Sequence, residues 1–101
     1  SGSARQRELA SLGITMWYVY FLKSKVNSKW LYVGSTDNLR RRVKEHGFGF
    51  SAATKPYLPV GLAGYIAVPS EKQARNLEKY LKAGSGKTIL KKRILGDEVE
   101  A

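Results

Sequence analysis

The sequence has no cysteine, only 8 acidic residues against 18 basic ones, and no apolar run that approaches the width of a bilayer. Without cysteine there is no disulfide framework and no thiolate metal site. That absence suits a reducing compartment, and a cytoplasmic setting is the expectation. Apolar runs well short of about 20 residues exclude a spanning helix, and no secretory signal pattern is visible. No internal repeat recurs along the chain. The shortage of acid leaves a formal net charge of +10 on 101 residues. For so small a domain the expected partner is phosphate, in the form of nucleic acid. An anionic membrane surface is the weaker reading, because no helix pairs a bulky apolar face with a basic one.

What is present suffices for one folded domain. The hydrophobic fraction is 43%, and the 2 Trp, 6 Tyr and 3 Phe argue against a disordered tail. A chain of this length has room for one modest core. Ser1-Gly2-Ser3 reads as a cloning scar and is set aside from the fold argument. The expected organisation is an N-terminal extension over 1–15, a main domain over 16–95, and an acidic tail over 96–101.

Within the extension, residues 4–15 can form a short helix on Leu9 and Leu12 that ends at Gly13. MWYVYFL, rich in aromatic and β-branched residues, predicts a strand with Tyr18 and Tyr20 on one face and Trp17, Val19 and Phe21 on the other. KSKVNSK supplies a turn, and WLYVG predicts a second strand, with Trp30, Tyr32 and Gly34 sharing a face. Ser35, Thr36 and Asp37 offer caps for a helix that should stop at His46, with Gly47 as the residue just past its end. GFGFSAATKPYLP reads as a loop, and GLAGYIAV as a third, buried strand. Pro69 and Ser70 introduce a helix over EKQARNLEKYLKA. Gly84-Ser85-Gly86 breaks the chain before a last basic helix, KTILKKRIL. The order β-β-α-β-α-α predicts a small α/β (α+β) fold, a three-stranded antiparallel sheet flanked by helices.

Both longer helices carry an anomaly. Leu39, Arg42, Val43 and His46 fall at i, i+3, i+4 and i+7, so an arginine and the only histidine share a packed stripe with two apolar residues. Ala74, Leu77, Glu78 and Leu81 repeat the spacing with a carboxylate on the stripe. A buried charge is costly unless paired or bound to a cation. With Tyr20 and Tyr32 on strands expected to be neighbours, these residues form a candidate cluster: Tyr20, Tyr32, Arg42, His46 and Glu78. Each has an ordinary alternative. The tyrosines suit any amphipathic strand, and His46 suits a helix C-terminus. Arg42 could be one more solvated base, and Glu78 could pair with Lys82 at i+4.

The ordered series resembles GIY-YIG endonucleases. Tyr18-Val19-Tyr20 is followed after eleven residues by Tyr32-Val33-Gly34, then by Arg42 ten residues after Tyr32, and His46 four residues later. Glu78 matches the acidic residue on a following helix. The likeness covers about residues 16–95 and is greatest to small stand-alone members, similar to the N-terminal nuclease domain of a bacterial excinuclease. It implies a phosphodiesterase that cuts DNA with one divalent cation, Mg²⁺ or Mn²⁺, held by Glu78. Arg42 would grip the scissile phosphate with its planar fork. A tyrosine, with a free pKa of about 10, needs nearby positive charge to act as a base. Tyr32 is the favoured base, Tyr20 positions water, and His46 orients or relays the proton. Two departures stand out: Leu90 or Arg93 occupies the region where many members have asparagine, and Ser35 the place where some have lysine.

Around this cluster, Arg40, Arg41, Lys44, Lys55, Lys87, Lys91, Lys92 and Arg93 are candidate phosphate contacts. Phe48, Phe50 and Tyr57 could stack unpaired bases or simply pack the loop onto the sheet. Single-stranded or branched DNA is the expected substrate, with RNA as an option, because no appended module is present to read bases. Two alternatives keep the charge without turnover: a non-catalytic nucleic-acid-binding module on the same fold, and a small RNA-binding protein of ribosomal type.

Overall fold

A computed structural model describes residues 16–96. The helix expected over 4–15 and the acidic residues 97–101 lie outside them. Three strands form one antiparallel sheet: β1 (Trp17–Ser24), β2 (Leu31–Thr36) and β3 (Val60–Val68), in the order β2-β1-β3. Helix α1 (Leu39–Gly47) follows β2, and α2 (Glu71–Leu81) and α3 (Gly84–Ile89) follow β3. The expected mixed α/β architecture, with its three-stranded sheet, is observed.

The central position of β1 explains its composition. Val19, Tyr20, Phe21 and Leu22 are consecutive and all buried, which requires cover on both faces of the strand. Val19 and Phe21 face one way and join Val33, Ala74, Leu81 and Leu90 in an apolar core. This is the side covered by α2 and the segment after α3. Tyr20 and Leu22 face the other way, toward α1 and the loop that follows it. Cross-strand register puts Gly34 opposite Tyr20 and Tyr32 opposite Leu22, so both belong to the α1 face.

Several boundaries differ from those expected. Asn38 caps α1, its side-chain oxygen accepting the Arg41 N–H at 3.1 Å. Thr36 is still in β2, and its hydroxyl oxygen is spent on the Asn38 N–H. The helix runs through Gly47, and the left-handed turn falls two residues later, at Gly49 (φ 79°). The helix introduced by Pro69 and Ser70 is observed, and Ser70 caps it, with Oγ accepting the Gln73 N–H at 3.3 Å.

Two expectations need correction. The third strand is not buried: it is an edge strand, with Leu62 41% and Tyr65 54% exposed. Ile66 and Val68 of its apolar run pack against the core, while Leu62, Ala63, Tyr65 and Ala67 are exposed. The break at Gly84-Ser85-Gly86 is shorter than expected: Gly84 takes a left-handed φ of 57°, but α3 already begins there rather than at Lys87, and residue 86 is a buried glycine where a Cβ would strike the Tyr80 carbonyl. The segment after α3, Leu90–Ile94, winds as a π-helix and delivers Leu90 to the core.

Candidate active site

Tyr20 can lie flat across the sheet only because its neighbour on β2 is glycine. A Cβ built on Gly34 would fall 2.5 Å from the Tyr20 hydroxyl oxygen. The hydroxyl reaches past that gap to His46, on the last turn of α1, with 2.8 Å between Oη and Nε2. The other imidazole nitrogen, Nδ1, lies 2.9 Å from Thr54 Oγ1. Tyr20, His46 and Thr54 are all excluded from solvent, and among the described residues no buried side-chain polar atom lacks a partner. Tyr32 borders the pair, its ring centroid 5.1 Å from His46 and 6.2 Å from Tyr20.

Arg42 sits one turn before His46, near enough to the Tyr20 hydroxyl for its charge to act on it. Its Nη1 donates to Glu45 Oε1 at 3.1 Å, and about a third of its side chain is open to solvent. These contacts set the ionisation of the group. Burial, reinforced by the nearby Tyr32, pushes Tyr20 up to about 12 despite the Arg42 guanidinium. Burial pulls Arg42 down, but its bond to Glu45 and the nearby Tyr20 oxygen outweigh that and keep it firmly cationic. Burial and then the Arg42 charge lower His46, so the imidazole is neutral at neutral pH.

Glu78 arrives from the opposite side of the sheet. Its Oε1 accepts the Ser35 hydroxyl at 2.6 Å and its Oε2 the Lys82 ammonium at 2.7 Å. Ser35 follows Gly34 on β2, so its side chain points away from the Tyr32 face. Because β2 is an edge strand, the two groups meet around that edge rather than on one face. Lys82 links them, its Nζ also 5.9 Å from the Tyr32 ring centroid. Burial raises Glu78, but the bonds from Lys82 and Ser35 overcome it and hold the carboxyl below its usual range. The five residues expected to cluster therefore do so in two parts: Tyr20, Tyr32, Arg42 and His46 on one side of β2, and Glu78 on the other.

Among the described residues there is no group of three or more His, Asp or Glu side chains able to enclose a metal. Glu78 is an ionised hard-oxygen donor that already attracts a cation. A Mg²⁺-type ion held by one or two carboxylates and completed by water and phosphate oxygens fits such a site.

The surrounding candidates divide by exposure. Arg40, Arg41, Lys44, Lys55, Lys87, Lys92 and Arg93 are exposed and Lys91 partly so, with Arg41 near Asp37 and Glu45 at 3.7 and 3.9 Å. Phe48 and Phe50 are 70% and 76% exposed, their rings 5.8 Å apart. Tyr57 stacks on Trp30 at 4.5 Å and Trp30 on Tyr32 at 6.1 Å, as the loop-packing alternative for Tyr57 expects. Sequence reasoning gave no site role to Thr54, Glu45 or Lys82, and treated Ser35 as a cap or a missing lysine. Only Lys82 carried a signal, its i+4 spacing from Glu78.

A family model described as the GIY-YIG catalytic domain matches residues 16–93. The chain is also similar to the "UPF0213 protein CPE1444" of Clostridium perfringens (strain 13 / Type A). The two are 40% identical over 68 residues, which is 66% of this chain and 71% of that protein.

Proposed function

The chain belongs to the GIY-YIG family of nuclease domains, and on that premise we propose that it is a divalent-metal-dependent DNA endonuclease acting on single-stranded or branched DNA. What supports the reading is one arrangement: a buried Tyr20–His46 pair beside a part-exposed Arg42, with the Glu78 carboxylate around the edge of the neighbouring strand β2.

In this mechanism Arg42 binds the scissile phosphate through the part of its guanidinium that is open to solvent. Glu78 would hold the cation, which when bound would supply Lewis-acid stabilisation of the leaving oxygen. Tyr32, acting as the phenolate, takes the proton of the attacking water and becomes the neutral phenol, and Lys82 keeps a positive charge against its ring. Tyr20 is the less apt base, raised to about 12 and sealed from solvent. It holds the geometry by bonding His46 and facing the Arg42 guanidinium. The exposed bases around α1 and α3 attract the backbone without choosing sequence. Phe48 and Phe50, rather than the stacked Tyr57, offer faces to unpaired bases.

Labelled single-stranded, duplex and branched DNA, and the matching RNAs, should separate the readings. Cleavage of single-stranded or branched DNA is expected with Mg²⁺ or Mn²⁺ and none in EDTA. Glu78→Ala should still bind but lose about 100-fold or more in cleavage, the scale of several kcal/mol of charge stabilisation. A variant that cuts as well as wild type would remove Glu78 as the metal ligand. Binding without cleavage under every metal condition would favour the non-catalytic module.

A further inference from the structure

We infer that Thr54 is a positioning residue that locks His46 in the Nδ1–H tautomer, leaving Nε2 as a permanent acceptor for the Tyr20 hydroxyl. The inference rests on the proposed roles of Tyr20 and His46, and two independent constraints from opposite ends of the chain of bonds lead to it.

At one end, the Thr54 hydroxyl oxygen lies between Nδ1 of His46, at 2.9 Å, and the Ser51 carbonyl, at 3.5 Å. A carbonyl can only accept, so a hydroxyl proton turned toward Ser51 leaves the Oγ1 lone pairs free to accept from Nδ1–H. At the other end, the Tyr20 oxygen has the Arg42 cation nearby, and a guanidinium offers no acceptor for a phenol proton. The single Tyr20 O–H then has Nε2 as its partner, at 2.8 Å. The opposite tautomer fails at the Tyr20 end, where Nε2–H and the Arg42 cation would both face the phenol oxygen and leave its own proton without an acceptor. It would also draw the Thr54 proton off its long contact with the Ser51 carbonyl, which keeps its bonds from the Thr54 and Lys55 N–H groups. In a site closed to water, each group left unbonded costs roughly 1–3 kcal/mol.

Thr54 is well suited to the task because it moves little. It lies in the turn just before Lys55–Tyr57, where the Thr54 N–H bonds the Ser51 carbonyl at 3.2 Å and its own carbonyl accepts from Tyr57. Its side chain is wholly buried. A residue in such a turn holds the imidazole still without meeting substrate, an arrangement like the outer partners that orient histidines in metal and catalytic sites.

His46 is the only histidine in the chain, so a protein labelled with ¹⁵N in the imidazole ring reports one pair of ring nitrogens. At a pH where the ring is neutral, wild type and Thr54→Ser should both show a protonated Nδ1 and a bare Nε2. Thr54→Val, equal in shape but without the hydroxyl, should lose that pure signature and cut about 100-fold more slowly, the scale that a misplacement of about 1 Å can cost. A wild-type ring protonated on Nε2, or a Thr54→Val ring unchanged from wild type, overturns the inference. A wild-type protein that cuts nothing yet shows the Nδ1–H ring, lost in Thr54→Val, supports Thr54's role and removes the nuclease reading instead. If Thr54→Val does not fold, the wild-type and Thr54→Ser spectra still decide the tautomer.

Discussion

Strand β1 sends Val19 and Phe21 to one side of the sheet and Tyr20 to the other, and all three are sealed from water. The two sides use that burial differently. Behind Val19 and Phe21 lies hydrocarbon: Val33, Ala74, Leu81 and Leu90. Around Tyr20 lies a polar group: Tyr20, His46 and Thr54 joined by hydrogen bonds, with the Arg42 guanidinium beside them bonded to Glu45. The first face gains stability in proportion to apolar area and tolerates reshaping of its side chains. The second gains little net stability per bond, but each bond fixes a direction, and a missing one leaves an expensive orphan. One strand therefore supports the fold with its odd-numbered residues and the candidate chemistry with an even one.

Substitutions on the two faces should fail in different ways. Phe21→Ala, on the apolar side, should cost about 3–5 kcal/mol, enough to unfold much of the protein in a denaturant titration. A cost under about 1 kcal/mol would mean that this face is not the main core. Gly34→Ala, on the polar side, should cost less, about 1–3 kcal/mol for overpacking, while losing far more activity than stability because the new methyl pushes Tyr20 off its bonds. Equal losses would erase the distinction between the faces.

Acid should act on the polar face first. His46 is lowered in the folded protein, so the unfolded chain binds more protons as pH drops. Its contribution to stability is complete above about pH 6.5 and fades as pH falls through the lower folded value. Glu78 is also lowered and follows the same sign, with its loss beginning only below the ordinary glutamate range. The melting temperature should hold steady from pH 8 to 7 and then decline in two stages; a flat profile from pH 7 to 5 would contradict the buried neutral imidazole. Smallest of all, Arg75→Ala removes an exposed pair with Glu71 and should shift stability by about 0.2–1 kcal/mol.

Much of the polar face was legible from the sequence. Alternation in WYVYFL separates Tyr20 from Phe21, helical spacing aligns Arg42 with His46, and Gly34 opposite Tyr20 becomes intelligible once β1 and β2 pair. Those patterns arise from steric and hydrogen-bonding rules among near neighbours, which any short segment carries with it. Thr54 was invisible, because a loop residue in SAATKP has no periodicity to mark it. The edge position of β3 was invisible too, since an apolar run looks the same at an edge as at the centre.

The sequence by itself determined which residues can ionise, which elements they ride on, and which of their neighbours share a face. Only the tertiary structure decided that β1 is central, that β2 is an edge, and that Glu78 comes round that edge to meet groups from the opposite face. Strand order and helix placement depend on contacts between residues far apart in the chain, and those contacts form where the whole set of apolar surfaces is best buried, a choice that no local pattern encodes.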